Sequence, residues 1–173
     1  MLMGDKDKAR QTMKKAGVPI IPGTDILENA DAAAKAADKL GYPVLVKARS
    51  GGGGKGIRIV NTPDALENAF LTASHEAQEA FGDGAVYLEK QVNPAKHIEI
   101  QLLADESGRT VCLYERECSI QRNNQKLVEE SPSPAVDDAL RAQMTEAAVK
   151  AAKAVGYCNA GTIEFLLDMD GRF

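Results

Sequence analysis

The run Gly51-Gly52-Gly53-Gly54-Lys55-Gly56 constrains this chain more than any other segment. With lysine as its one side chain, the run exposes consecutive backbone N–H groups that can wrap phosphate oxygens. The missing Cβ atoms also let backbone approach a ligand closely. A flexible linker or a hairpin tip has the same composition, so the flanks must decide. Val44-Leu45-Val46 before the run reads as a short buried strand ending at Lys47, and Gly56-Ile57-Arg58-Ile59-Val60 after it alternates as a strand.

That setting separates the nucleotide-binding glycine motifs. The dinucleotide fingerprint must open a helix, so that the pyrophosphate meets the helix dipole; this loop opens a strand. A Walker loop needs Ser or Thr after Gly-Lys, and Lys55 is followed by Gly56. A kinase loop also lies between strands, but its lysine sits on the strand after the loop, whereas Lys47 lies before it.

The remaining chain reads as alternating helices and strands. Asp5 can cap a helix over 6–16, with Ala9, Met13 and Ala16 on one face and Gly17 and Pro19 ending it. Asn29 or Asp31 opens an Ala-rich helix that Gly41 and Pro43 stop. Thr62-Pro63 is a hydroxyl cap with proline at the first helical position, for a helix running to Phe81. Val86 to Val92 is a strand. His97 to Ala104 sets Ile98, Ile100 and Leu102 against polar partners, and Thr110 to Glu117 is the return strand after a turn at 105–108. Gln121 to Pro134, polar and Pro-rich, is expected to be a long loop of the kind that carries function. Asp137 to Val155 is a helix and Ala160 to Leu167 a strand. The tail from Asp168 to Phe173 reads as a turn entering a second strand, and both ends read as artificial boundaries. The class is α+β, with mainly antiparallel sheets.

Composition excludes several classes. Net charge is −4 with pI near 5.3, against the basic surplus of a nucleic-acid binder. Cys112, Cys118 and Cys158 form neither an even disulfide framework nor a CxxC zinc pair. No signal peptide and no membrane-length apolar run is present. A soluble, cytoplasmic protein is expected.

A lysine strand followed by a glycine loop between strands resembles the lid of ATP-grasp enzymes. Further segments agree in order and approximate spacing with the biotin carboxylase family: Met3-Gly4-Asp5-Lys6, Gly41 to Lys47, Tyr87-Leu88-Glu89-Lys90, His97 to Gln101, Glu115 to Arg122, Gln125 to Glu130 and Gly161 to Phe165. The resemblance covers essentially the whole chain, and Ser119-Ile120-Gln121-Arg122 to Gln125-Lys126 is its most specific part. It implies an ATP-grasp fold: a lead-in helix and connector over 1–21, a lid subdomain over 22–95, and a partial C-terminal catalytic subdomain over 96–173.

The resemblance also implies roles. ATP would be bound by Lys6, Lys47, the loop glycines Gly52, Gly53 and Gly54, the segment Glu89, Lys90, Gln91 and Val92, and His97, Gln121 and Asn124. Lys126 would hold bicarbonate, since a fixed cation can present that anion to the γ-phosphate against charge repulsion. Glu164 would be a ligand of Mg²⁺, with Mn²⁺ as a substitute, because hard oxygen donors suit such ions. Residues 122–124 read Arg-Asn-Asn where the family commonly has Arg-Arg-His or Arg-Arg-Asn; Asn124 can donate a hydrogen bond but carries no charge.

The expected activity is carboxylation of biotin on a carrier protein or domain, serving a carboxyltransferase of an acetyl-CoA or other acyl-CoA carboxylase in fatty acid biosynthesis. The family's full-length proteins imply a homodimer. Other groups of the family's site fall after Phe173, so these residues are expected to be inactive alone. The rivals are another ATP-grasp carboxylate or carbamoyl ligase, and a nucleotide-binding module without catalysis.

Overall fold

The computed structural model describes residues 6–50, 56–123 and 125–173, with side chains in the first helix described from Ala9 onward. These residues fall into two compact units, one formed by residues up to Arg10 with Ile21–Gln91, the other by Gln11–Ile20 with Val92–Phe173. No helix among them is long and apolar enough to cross a membrane. Helix α1 (Lys6–Lys15) begins the described chain.

The first unit is a three-stranded antiparallel sheet ordered β2-β1-β3, with β1 at Val44–Ala48, β2 at Ile57–Val60 and β3 at Val86–Lys90. Helices α2 (Ala30–Leu40) and α3 (Leu66–Phe81) supply the other layer. Period-two alternation in β1 sends Val44, Val46 and Ala48 into the core and leaves Leu45 and Lys47 on the opposite face. The core joins these to Ala33 and Ala37 of α2, Leu66 and Phe70 of α3, and Val86 and Leu88 of β3. Ala33 and Ala37 are fully buried; their small side chains let α2 lie close against the sheet. Asn29 caps α2 by accepting from the Ala32 N–H at 2.9 Å. Thr62 makes no side-chain cap bond, contrary to the expectation from sequence: a 3₁₀ turn at Pro63–Ala65 stands between it and α3.

Gly56, where the glycine loop rejoins β2, has φ of 69°, and a Cβ there would stand 2.7 Å from the Ala48 Cβ. Both facts exclude an ordinary side chain. The Gly56 carbonyl accepts the Ala48 N–H at 2.8 Å, drawing the two ends of the loop together.

The second unit is a four-stranded antiparallel sheet ordered β6-β5-β4-β7. Its strands are β4 (Ala95–Ala104), β5 (Thr110–Arg122), β6 (Gln125–Glu130) and β7 (Asn159–Asp168), and α4 (Asp138–Ala154) covers one face. Ile98, Ile100, Phe165 and Leu167 pack there against Met144, Ala147, Ala148 and Ala151. The long loop expected over 121–134 is corrected: β5 continues to Arg122 and β6 returns from Gln125. Asn123, with φ of 53°, makes the turn, a conformation that asparagine tolerates better than most residues.

A bulge in β5 decides which side chains face which way. The register shifts between Ile100 and Leu102, so that Leu102 pairs with Cys112 but Ile100 pairs with Glu115. A one-residue slip reverses every side chain beyond it. Glu115 and Glu117 consequently lie on the face of Ile98 and Ile100, and Arg116 lies with Glu99 on the other.

Candidate functional site

In the first unit, Lys47 and Glu89 meet on the sheet face away from the helices. Glu89 pairs in register with Leu45, and Tyr87 pairs with Lys47. The Lys47 ammonium donates to Glu89 Oε2 at 2.7 Å and lies 6.0 Å from the centre of the Tyr87 ring. Arg10 of α1 approaches the other carboxylate oxygen at 3.7 Å. Glu89 is only 8% exposed, and a carboxylate so placed requires such partners.

The neighbouring residues are used differently. Lys90 turns its ammonium onto the carbonyls of Gly41 and Tyr42 at 2.7 and 3.0 Å, past the end of α2. Gln91 donates its backbone N–H to the Pro43 carbonyl at 3.2 Å. The Lys6 side chain and Gly52, Gly53 and Gly54 lie outside the described residues, as does Asn124. Val92, in the connection from β3 to β4, is half-buried.

In the second unit, the face of the sheet away from α4 carries a charged row. Arg116, Glu99 and Glu164 are register partners on the adjacent strands β5, β4 and β7. Lys126, at the start of β6, reaches over this row: its ammonium donates to Glu99 Oε2, and to Glu164 Oε1 at 2.7 Å. The two hydrogen bonds raise the Lys126 pKa above the ordinary lysine value, against the lowering effect of burial. Arg116 donates from Nε to Glu99 Oε1 at 2.7 Å and from Nη2 to Gln101 Oε1 at 3.1 Å. Glu99 is buried while the Glu164 side chain is 66% exposed, so Glu164 is the carboxylate that solvent or a ligand can reach.

His97 is exposed on the same strand as Glu99, and its backbone N–H donates to Ser119 Oγ at 3.0 Å. Gln121 is engaged through Nε2 with the Cys118 carbonyl at 2.9 Å. The structure thus pairs Lys47 with Glu89, and Lys126 with Glu164. It adds Arg10, Glu99 and Arg116, which sequence reasoning did not single out. A signal for Glu99 was present, since it is one of the polar partners alternating with Ile98, Ile100 and Leu102.

No group of three or more His, Cys, Asp or Glu side chains that could hold a metal ion occurs among the described residues. If Glu164 held a Mg²⁺ ion, phosphate oxygens and water would have to fill the ion's other positions, the usual arrangement for this ion.

On the other face of the sheet, Glu115 is 1% exposed and receives Arg141 Nε at 2.7 Å and Nη2 at 2.9 Å. The Ser133 N–H adds a third bond at 3.1 Å. Glu117 accepts from Lys96 at 2.7 Å and from the Ser133 hydroxyl at 2.6 Å. For Glu99, Glu115 and Glu117, burial alone would raise the pKa, but hydrogen bonds from Lys126 and Arg116, from Arg141, and from Lys96 outweigh it and hold each below the ordinary 4.5. A depressed carboxylate stabilises the fold above its unfolded-state value and ceases to do so as pH falls through its folded value. Urea midpoints should therefore be level from pH 7 to about 5 and drop steadily below pH 4.5. A midpoint that holds constant down to pH 3 is incompatible with these ion pairs.

The family model for the carbamoyl-phosphate synthase L chain, ATP-binding domain, matches residues 5–173. Biotin carboxylase 1 of Bacillus subtilis is 57% identical over 167 residues, covering 96% of this chain and 37% of that protein. The biotin carboxylase of a Nostoc species is 53% identical over 173 residues, covering 99% and 39%. Among solved structures, a biotin carboxylase–β-γ-ATP complex from Campylobacter jejuni superposes with a TM-score of 0.93 at 50% identity, covering 99% of this chain and 39% of that one. The biotin carboxylase domain of Hydrogenobacter thermophilus 2-oxoglutarate carboxylase, solved with MgADP, ADP and bicarbonate, gives 0.91 at 48%, covering 99% and 38%. The chain thus spans less than two fifths of the length of these relatives.

Proposed function

The chain belongs to the carbamoyl-phosphate synthase L chain ATP-binding domain family and, within it, to the biotin carboxylases, and from that premise we propose that it is the ATP-binding core of an enzyme that carboxylates biotin. In that reaction ATP phosphorylates bicarbonate to give carboxyphosphate and ADP, carboxyphosphate breaks down to CO₂ and phosphate, and CO₂ replaces the proton on N1′ of biotin on a carrier protein or domain. A carboxyltransferase would then deliver it to an acyl-CoA or another acceptor. Residues 22–95 would act as the lid, and residues 96–173 as part of the catalytic subdomain.

The observation that carries this reading is Lys126, a lysine held in place by one buried and one exposed carboxylate. Phosphoryl transfer to a weak anionic acceptor depends on positioning and charge stabilisation more than on covalent chemistry. Lys126 supplies a fixed cation for bicarbonate, and Lys47 supplies one for the triphosphate. Glu89 and the backbone of Lys90, Gln91 and Val92 would bind the adenine, and His97, Gln121 and Asn124 would complete the nucleotide contacts. Mg²⁺, held by Glu164 and phosphate oxygens, would neutralise the charge that develops on the transferred group.

Both lysines are occupied by carboxylates here, so anions would bind by exchange. A triphosphate would draw Lys47 from Glu89, which retains Arg10, and bicarbonate would compete with Glu164 for Lys126. The other family ligases share the ATP chemistry and differ in the acceptor. The two readings separate in a measurement of ATP cleavage by these residues. Bicarbonate-dependent hydrolysis with free biotin should be at or near background for the 173-residue chain alone, since no cluster of metal-holding side chains occurs among the described residues and Glu164 alone would hold Mg²⁺ weakly. Turnover matching an intact carboxylase contradicts that part of the proposal, and cleavage stimulated by ammonia or an amino acid instead of bicarbonate contradicts the choice of acceptor.

A further inference from the structure

We propose that Arg116 is the positioning residue for Lys126, acting through Glu99. Its importance for the reaction rests on the reading of Lys126 given above; its effect on the lysine does not. Both Arg116 Nε and Nη2 converge on Glu99 Oε1, at 2.7 and 2.5 Å. Glu99 Oε2 is thereby left to Lys126. Arg116 Nη2 also donates to Gln101 Oε1 at 3.1 Å, and Gln101 Nε2 donates to the Gly161 carbonyl of β7 at 2.9 Å. Lys126 donates to Glu164 of the same strand. A closed circuit of polar contacts results, running Gly161–Gln101–Arg116–Glu99–Lys126–Glu164 over all four strands. Glu129 Oε2, 3.5 Å from Arg116 Nε, stands at its margin.

Charge explains why a second cation is needed there. Glu99 and Glu164 are direct register partners, and like charges directly opposite on neighbouring strands repel. With Lys126 as its sole counter-ion, buried Glu99 would hold the ammonium as a neutral pair, leaving little charge for an anion. Arg116 takes up half of the Glu99 carboxylate and fixes its rotamer. The two cations together then balance Glu99 and Glu164, so Lys126 is held in place without having to neutralise Glu99 alone. Arginine suits this task because its planar fork reaches Glu99 and Gln101 together, which the point charge of a lysine cannot do.

The test uses the ¹⁵N-labelled 173-residue chain and reads the lysine ammonium signals at low temperature, with that of Lys126 identified by its loss in Lys126→Gln. A hydrogen-bonded ammonium exchanges slowly with water. In Arg116→Gln the Lys126 signal should shift and exchange about tenfold faster or vanish, the factor that weakening one charge-assisted hydrogen bond allows. Arg116→Lys should recover part of the effect, because the charge returns without the fork. Backbone amide spectra establish whether each variant is folded. An unaltered Lys126 signal in folded Arg116→Gln overturns the proposal. If that variant does not fold, Arg116→Lys decides in the same way, a moved signal supporting the proposal and an unmoved one overturning it. Titration with bicarbonate, with and without a non-hydrolysable MgATP analogue, separates the two readings. If bicarbonate leaves the Lys126 signal of the wild-type chain unmoved, the assignment of Lys126 to bicarbonate fails, while the response to Arg116 substitution still tests the positioning.

Discussion

Arg141→Met is expected to lower the unfolding free energy by about 3–5 kcal/mol, the usual result of removing one partner from a buried ion pair. The loss comes from Glu115, which the β5 bulge directs into the interior at 1% exposure. Arg141 meets it with two parallel bonds and anchors itself on the Val136 carbonyl at 3.0 Å. The Tyr114 ring stacks over the guanidinium with its centre 5.2 Å away. Methionine matches the length of the stem and none of the charge, so the carboxylate is left with backbone N–H groups, those of Ser133 and of Glu115 itself. Such a loss is a large part of the roughly 5–15 kcal/mol that holds a typical domain folded.

The pH dependence gives this prediction a signature of its own. In the wild-type chain Glu115 is depressed below 4.5, so it favours the fold above that pH and stops doing so on acidification. In Arg141→Met the stranded carboxylate should titrate above its unfolded-state value, because burial, the largest influence on it, is then opposed only by backbone hydrogen bonds. A carboxyl raised in the folded state binds more protons there than in the unfolded chain, so its contribution to stability rises as pH falls. The stability gap between variant and wild type should therefore narrow from pH 7 to pH 4.5 in urea denaturation. The double variant Arg141→Met/Glu115→Gln should recover much of the loss at pH 7, since glutamine keeps an acceptor for Ser133 without the charge. A gap that is small at pH 7, or that stays constant with pH, means that the pair does not hold the fold as described.

Much of this architecture can be read in the residues. A short apolar run marked β1, alternation marked β2 and β4, and the expected ends at Gly41 and Phe81 match those of α2 and α3. The β5–β6 hairpin escaped for a physical reason. Every residue described in β6 is exposed, so no contrast of apolar and polar positions betrays a strand, and Leu127 and Val128 both face solvent. The remaining signal was Asn123-Asn124, a pair suited to the left-handed turn of a short hairpin. Thr62 misled because its hydroxyl fits a cap in type but the 3₁₀ turn intervenes.

The site divides along the same line. Lys47, Glu89, Lys126 and Glu164 could be named from the family resemblance, because each sits in a segment with a distinctive pattern. Glu99 and Arg116 depend on which residues face one another over β4 and β5, and that depends on the bulge between Ile100 and Leu102. Arg10 lies far in sequence from Glu89, and local patterning does not bring them together.

Nucleotide affinity is the second large effect. Lys47 ends its pairing with β2 opposite Ile57, close to the glycine loop, and its ammonium is held by Glu89. A triphosphate offers a denser negative charge than one carboxylate, and charge-assisted bonds to phosphate are among the stronger ones in proteins. Loss of one such bond costs about 1.5–3 kcal/mol, or roughly 10–100-fold in affinity. Calorimetric titration of the 173-residue chain with a non-hydrolysable MgATP analogue, repeated on Lys47→Ala, addresses the central claim most directly. One saturable site per chain, weakened by that factor in a variant that still shows a cooperative urea transition, is the predicted result; no binding by the folded wild-type chain, or equal affinity in the folded variant, contradicts the account.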